Sequence, residues 1–198
     1  MGKIIAAIHM SLDGYMADLD GQINWIAMDA ELSDYVTELR QGAAGTLYGR
    51  VTYQMMDPYW PNVLKNPGNF PAWQVDYAEW VDKAVKVVVS KTLPAVSWNN
   101  TRIIRDNVEG EIRRIKEELD GHLLLLASAT LVGTLLPMGL IDELVTTVTP
   151  IVLGQGKPFF IGLKDRVPLA LKDTRTFSSG VVALHYRVKA GPAAGKNI

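Results

Sequence analysis

The segment Thr46-Leu47-Tyr48-Gly49-Arg50-Val51-Thr52-Tyr53 leaves a short apolar stretch through a glycine and starts a helix with a cation and a hydroxyl in its first turn. Free backbone N–H groups at a helix N-terminus attract anions, glycine lets a phosphate approach the chain, and Arg50 and Thr52 add donors. This chemistry suits a phosphate cradle, although an ordinary strand-to-helix turn with a capping Thr and a solvated Arg has the same composition. A second apolar run, Val87-Val88-Val89, ends in Ser90-Lys91-Thr92 and again places hydroxyls and a cation past a strand end. A third junction, Ala127-Ser128-Ala129-Thr130-Leu131, is built of small residues. In open α/β sheets ligands sit outside the carboxyl ends of the strands. If the three junctions form one rim, an extended ligand carrying several phosphates is the natural occupant.

Proton chemistry has fewer candidates. Ser11-Leu12-Asp13-Gly14-Tyr15-Met16-Ala17 is a loop leaving the first strand, and such exit loops often act as lids or binding loops. Asp13 is this loop's carboxylate, and turn formation alongside Gly14 is the common role of such a residue. Asp29 and Glu31 stand where a helix begins and suit capping. Tyr53, Met56, Tyr59 and Trp60 are candidates to wall a pocket for a flat heterocycle, or to pack a core. His9, His122 and His185 have no mutual spacing that suggests a metal site.

These residues need strands and helices to position them. Short apolar runs at 3–10, 46–48, 85–89, 123–126 and 144–149 alternate with helical stretches, which predicts a largely parallel sheet with crossover helices. Val108, Ile112, Ile115 and Leu119 form one apolar stripe and predict a helix over 108–119. Further helices are expected over about 30–40, over 51–56 as a short one, and over about 129–138. From Leu169 the pattern changes to two extended runs, 169–177 and 181–188, joined by Ser178-Ser179-Gly180. That is turn chemistry for an antiparallel hairpin closing one sheet edge.

Composition narrows the function classes. The chain has 198 residues, 48% of them hydrophobic, enough for one core. Its 20 basic and 21 acidic residues nearly cancel and form no basic stripe, so nucleic acid is not an expected partner. The absence of cysteine excludes disulfides, thiolate nucleophiles and Cys-ligated metals, and suits the cytoplasm. Leu123 to Ile141 carries no charge over nineteen residues, but Pro137 and three hydroxyls within it argue for a buried strand, turn and helix rather than a membrane span.

SLDGYMA at 11–17, GRVTYQMM at 49–56, VVVSKTL at 87–93, SATLVGTLLPMGLIDEL at 128–144 and PIVLGQGKPFF at 150–160 occur in one order. Together they resemble the dihydrofolate reductase-like family that includes the reductase domain of the bifunctional riboflavin-biosynthesis deaminase-reductase. The resemblance extends over about residues 3–188. It implies a three-layer α/β/α fold; with the chain's length and composition this gives a single domain, 1–189, and the small, polar residues of 190–198 are expected to form a loose tail. It also implies NADPH along the strand ends: Gly49, Arg50, Val51 and Thr52 near the phosphates, Ser90, Lys91 and Thr92 at the adenosine 2′-phosphate, and Ala127, Ser128, Ala129, Thr130 and Leu131 by the pyrophosphate and nicotinamide. Asp13 would lie near the nicotinamide end, which makes it the carboxylate expected to act in catalysis, and the pocket residues Tyr53, Met56 and Trp60 are the ones expected to meet the substrate.

The implied activity is hydride transfer to a heterocyclic or ribosylamino-pyrimidine-like small molecule, in a homodimer without a metal. Dihydrofolate reduction and a non-catalytic nucleotide-binding module are the alternatives. Two departures stand out. Related enzymes commonly have glycine where this chain has Ala127-Ser128, and the riboflavin-pathway reductases carry a carboxylate where Leu126 aligns.

Overall fold

The computed structural model describes residues 2–189. In chain order the strands are β1 (Ile4–Ser11), β2 (Tyr15–Ala17), β3 (Ala43–Gly49), β4 (Val85–Val89), β5 (Thr101–Ile104), β6 (His122–Leu126), β7 (Glu143–Thr149), β8 (Lys157–Pro158), β9 (Leu169–Thr176) and β10 (Val182–Val188). The helices are α1 (Ala30–Arg40), α2 (Arg50–Lys65), α3 (Ala72–Lys83), α4 (Val108–Glu118) and α5 (Ala129–Leu135). Eight strands form one sheet in the order β5-β4-β3-β6-β1-β7-β10-β9. The pairs from β5 through to β7 are parallel, whereas β10 runs antiparallel to both β7 and β9. The expected parallel sheet with a closing hairpin is therefore observed, and Gly180, at φ +82, makes the hairpin turn.

Strand alternation sorts side chains onto two faces. Ile4, Ala6, Ile8, Leu47, Val87 and Leu125 pack with Ile112 and Ile115 of α4 and Leu131 and Leu135 of α5. On the opposite face Ile5, Leu124 and Val145 meet Leu32 and Tyr35 of α1, while Tyr48 and Val88 meet Tyr53 and Trp60 of α2 and Tyr77 and Val81 of α3. The result is the three-layer α/β/α arrangement.

Several elements differ from expectation. The short helix expected over 51–56 runs from Arg50 to Lys65 despite Pro58 and Pro61 within it. Each internal proline costs about 3 kcal/mol, and burial of Tyr53, Trp60 and Val63 at about 1.5–3 kcal/mol each offsets it. Helix α5 ends at Leu135 rather than near Met138, with Gly139 at φ +65 in the turn that follows. Helix α3 and strand β5 have no counterpart in the sequence reading. Among the described residues no helix is long and apolar enough to cross a membrane, and Leu123 to Ile141 is divided between β6, α5 and turns. The segment 190–198 lies outside the described residues.

One buried charge fastens the edge hairpin to the parallel strands. Glu143, only 4% exposed at the start of β7, accepts from Lys3 Nζ at 3.1 Å, Lys172 Nζ at 2.8 Å and His185 Nε2 at 2.6 Å. Burial alone would raise its carboxyl, but these donors outweigh burial and hold it at about 2, below the ordinary 4.5. A depressed folded-state value means that the contribution is complete above about 4.5 and is lost as the pH falls toward 2. Glu143→Gln should lower stability at neutral pH by about 2 kcal/mol, the scale of a hydrogen bond to a charged group. Urea denaturation should show the variant converging with the parent protein as the pH approaches that lower value.

Candidate active site

Parallel pairing aligns the strand exits. Ala7 of β1 is registered with Leu126 of β6, Leu47 of β3 with Leu125, and Gly49 with Val89 of β4. Past these ends opens a cavity of about 1160 Å³. Ala7, His9, Leu124, Leu126, Val145 and Thr147 form its sheet side, and Val36 and Leu39 of α1 add to one flank. Strand β2 contributes Met16 and Ala17, and the loop that follows it contributes Gly21, Ile23, Ile26 and Met28. A separate depression of about 270 Å³, beside Asp57, Asp82 and Trp98, is too small for a dinucleotide.

The first and third junctions meet in this cavity. Gly49, Arg50, Val51 and Thr52 line it, as do Ala127, Ser128, Ala129, Thr130 and Leu131. Gly49 is the N-cap of α2; it gives no side-chain cap, and the first turn holds no acidic residue. The N–H groups at this helix start therefore remain available to an anion. The Gly49 N–H donates to Ser128 Oγ at 3.0 Å, and a Cβ at position 49 would stand 2.2 Å from that oxygen. Only glycine lets the two junctions touch. Ser128 in turn makes no cap bond to α5, although it is the N-cap residue there.

Ala127 and Ser128 have φ of +51 and +66. Both stand in the left-handed region, where an L side chain costs about 1–2 kcal/mol. This accounts for the glycine preference noted for related enzymes: the turn geometry is kept here without the residue that makes it cheap.

Arg50 also faces the cavity, its Nη1 donating to Gln54 Oε1 at 2.9 Å, and the guanidinium pairs with no carboxylate among the described residues. Lys157, at the start of β8, adds a second cation to the lining.

Other expected site residues go elsewhere. Only Val89 of the second junction lines the cavity. The buried Ser90 Oγ accepts from the Thr92 and Leu93 N–H groups, and Lys91 projects into solvent 4.0 Å from Asp106. Met56 and Trp60 do wall the cavity, but Tyr53 packs in the core. Its hydroxyl donates to Asp57 and accepts from the Trp98 N–H, which turns it away from a substrate.

Asp13 is corrected as well. Its carboxylate accepts from Ser11 Oγ at 2.6 Å and from the N–H groups of Leu153 and Gly154, which lashes the β1 exit loop to the loop after β7. The Ser11 hydroxyl foremost, then those N–H groups, holds its pKa below the ordinary carboxylate value. Asp13 does not line the cavity and is a poor proton donor. Asp29 caps α1 through the Leu32 N–H at 2.8 Å, and Glu31 accepts from the Ser178 N–H at 2.8 Å.

His9 was not singled out by the sequence reading. It follows Ile5 and Ala7 on the same face of β1, near the strand's carboxyl end, so period-two alternation aims it at the cavity. Burial in apolar surroundings lowers its pKa from 6.5 to about 4, which keeps it neutral at physiological pH. No Asp or Glu is among the described residues lining the cavity.

A three-layer sandwich of this strand order has the dihydrofolate reductase-like fold. Within that class the chain belongs to the RibD C-terminal domain family, whose model matches residues 2–183. It is 32% identical over 186 residues to the uncharacterized protein YyaP of Bacillus subtilis (strain 168), covering 93% of this chain and 94% of that one. A putative riboflavin biosynthesis protein from Shewanella sp. PV-4 shares the fold at TM-score 0.71 and 22% identity, covering 95% and 99% of the two chains. So does a diaminohydroxyphosphoribosylaminopyrimidine deaminase/5-amino-6-(5-phosphoribosylamino)uracil reductase from Thermotoga maritima, at TM-score 0.68 and 19% identity, with 95% of this chain and 57% of that one covered.

The junction can be tested through stability. Ala127→Gly relieves about 1–2 kcal/mol of left-handed strain and gives back about 0.5–1 kcal/mol in unfolded-state entropy, so a net gain near 0.5–1 kcal/mol is expected. Gly49→Ala should lower the melting temperature, because its Cβ displaces Ser128. Thermal unfolding of both variants beside the parent chain checks the two opposite signs.

Proposed function

We propose that this chain is an NADPH-dependent reductase that adds hydride to an electron-poor C=N or C=O carbon of a heterocyclic substrate. Ribosylamino-pyrimidines such as 5-amino-6-(5-phosphoribosylamino)uracil, named for the Thermotoga protein, belong to this substrate class. The observation carrying the reading is the meeting of the Gly49–Thr52 and Ala127–Leu131 junctions over one cavity, with free helix-start N–H groups and Arg50 beside them. That arrangement fits a polyphosphate-linked dinucleotide. Gly49, Arg50, Val51 and Thr52 would hold phosphates, and Ala127 to Leu131 would border the pyrophosphate and nicotinamide. Ser90, Lys91 and Thr92 stand on the rim one strand over, where Lys91 remains the proposed partner of the 2′-phosphate.

Bound reduced nicotinamide supplies the hydride; the chain's own residues bind, orient and exclude water. With no carboxylate among the described cavity residues, the proton comes from water. The same feature disfavours the dihydrofolate reductase alternative, for which the cavity offers no acid among the described residues. It also leaves a non-catalytic binding module as the reading that a failed turnover assay would support. We further propose that residues 1–189 act as one domain, as a homodimer paired near the exposed β9 edge, in the cytoplasm.

NADPH should bind more tightly than NADH in fluorescence titration. Arg50→Ala should cost NADPH about 1.5–3 kcal/mol, at least tenfold in affinity, as expected for a charge-assisted contact. Lys91→Ala should weaken NADPH more than NADH. Failure to bind either cofactor would overturn the reading, and an equal loss for both in Lys91→Ala would move that lysine off the 2′-phosphate.

A further inference from the structure

The sheet side of the cavity carries one pair of polar side chains in an apolar setting. His9 on β1 and Thr147 on β7 are cross-strand partners, and His9 Nδ1 lies 2.5 Å from Thr147 Oγ1. Ala7, Leu124, Leu126 and Val145 surround the pair on the sheet, and Trp60 and Met28 stand across the same cavity. Thr147 is 3% exposed, and its hydroxyl has no other acceptor among the described residues. A buried hydroxyl hydrogen is almost always paired, so Thr147 donates to Nδ1. The proton of neutral His9 then resides on Nε2, which has no protein partner among the described residues and belongs to a side chain lining the cavity. The pair thus presents one fixed donor in an apolar enclosure that holds no carboxylate.

We propose that His9, oriented by Thr147, donates through Nε2–H to a carbonyl or ring-nitrogen acceptor on the uncharged, flat heteroaromatic ring of the substrate. This deepens the reductase reading and rests on it. A donor aimed at the acceptor atom polarises the adjoining carbon, the electrophilic role a neutral imidazole can fill. The apolar walls set the charge: an anionic ring would leave water without a partner on the sheet side of the cavity, since Arg50 and Lys157 belong to the α2 start and β8.

The probes are 1,3-dimethyllumazine, an uncharged bicycle with acceptors and no N–H donor; naphthalene, of similar size without acceptors; and pterin-6-carboxylate, an anion. The full chain is titrated by tryptophan fluorescence and by nitrogen-15 imidazole resonances. Dimethyllumazine is expected to bind and to move the His9 Nε2 resonance, and to bind about fivefold to tenfold more tightly than naphthalene, one neutral hydrogen bond's worth. Pterin-6-carboxylate is expected to bind more weakly than dimethyllumazine. His9→Phe should remove the advantage over naphthalene, and Thr147→Val, which frees the tautomer, should reduce it.

No binding of dimethyllumazine, an unmoved His9 resonance, or an advantage retained in His9→Phe overturns the proposal. Equal or tighter binding of pterin-6-carboxylate overturns the selection for an uncharged ring. If His9→Phe does not fold, Thr147→Val and the resonance shift in the parent protein decide. NADPH titration of the same sample separates the two readings. His9-dependent dimethyllumazine binding without NADPH binding defeats the reductase and leaves the donor; NADPH binding with His9-independent dimethyllumazine binding does the reverse.

Discussion

Parallel hydrogen bonding between β3, β6, β1 and β7 is the constraint from which the rest follows. Parallel neighbours deliver every carboxyl end to one side of the sheet, so the crossover helices α2 and α5 begin there with unpaired N–H groups. The same crossovers cover both faces, which is why β4 and β6 read as unbroken apolar runs, Val85–Val89 and His122–Leu126, with one cation or histidine each. Lys86 in the first of these is fully buried, and its Nζ donates to the carbonyls of Val81, Asp82 and Ala84 at the end of α3. A charged residue inside a buried strand is thereby used to finish a helix.

Strain is concentrated where two of these helix starts meet. The Gly49 N–H to Ser128 Oγ bond returns about 0.5–1.5 kcal/mol, less than the combined cost of two left-handed side chains at 127 and 128. The balance is supplied by the core beneath, where Ala129, Leu131, Val132 and Leu135 are buried. Ala127 and Ser128 both line the cavity, so the strained turn, held in place by surrounding packing, lies at the candidate site itself.

Much of this was legible in the sequence because periodicity and turn chemistry are local. The α4 stripe, α1 and the Ser178-Ser179-Gly180 hairpin turn announce themselves over a few residues, and so did two of the three junctions that wall the cavity. What stayed hidden depends on distant partners. The length of α2 is set by burial of Trp60 and Val63, which outweighs Pro58 and Pro61. Tyr53 and Asp13 had the right residue types in the right neighbourhoods, but Trp98, forty-five positions away, and Gly154, one hundred and forty-one away, claim their polar atoms. His9 was hidden for the opposite reason: strand alternation marks its face, and nothing local says that the face is open.

The placement of carboxylates explains the character of the cavity. Asp13 bridges two loops, Asp29 caps α1, Glu31 holds the hairpin turn, Asp142 binds Lys116 Nζ and the Ile4 N–H, and Glu143 gathers two lysines and a histidine. Asp13, Asp29 and Glu31 are thus committed to the frame, Asp142 and Glu143 stand at the opposite, amino end of β7, and no acid lines the cavity among the described residues, which leaves helix-start N–H groups, Arg50 and Lys157 there without an anionic partner in the lining. Negative charge has to arrive with the ligand. On the proposed function, phosphate groups would satisfy that field at the α2 start, whereas the substrate ring would meet apolar walls and the His9–Thr147 pair. The division between a cationic rim and an apolar floor is thus a consequence of where the frame spends its acids.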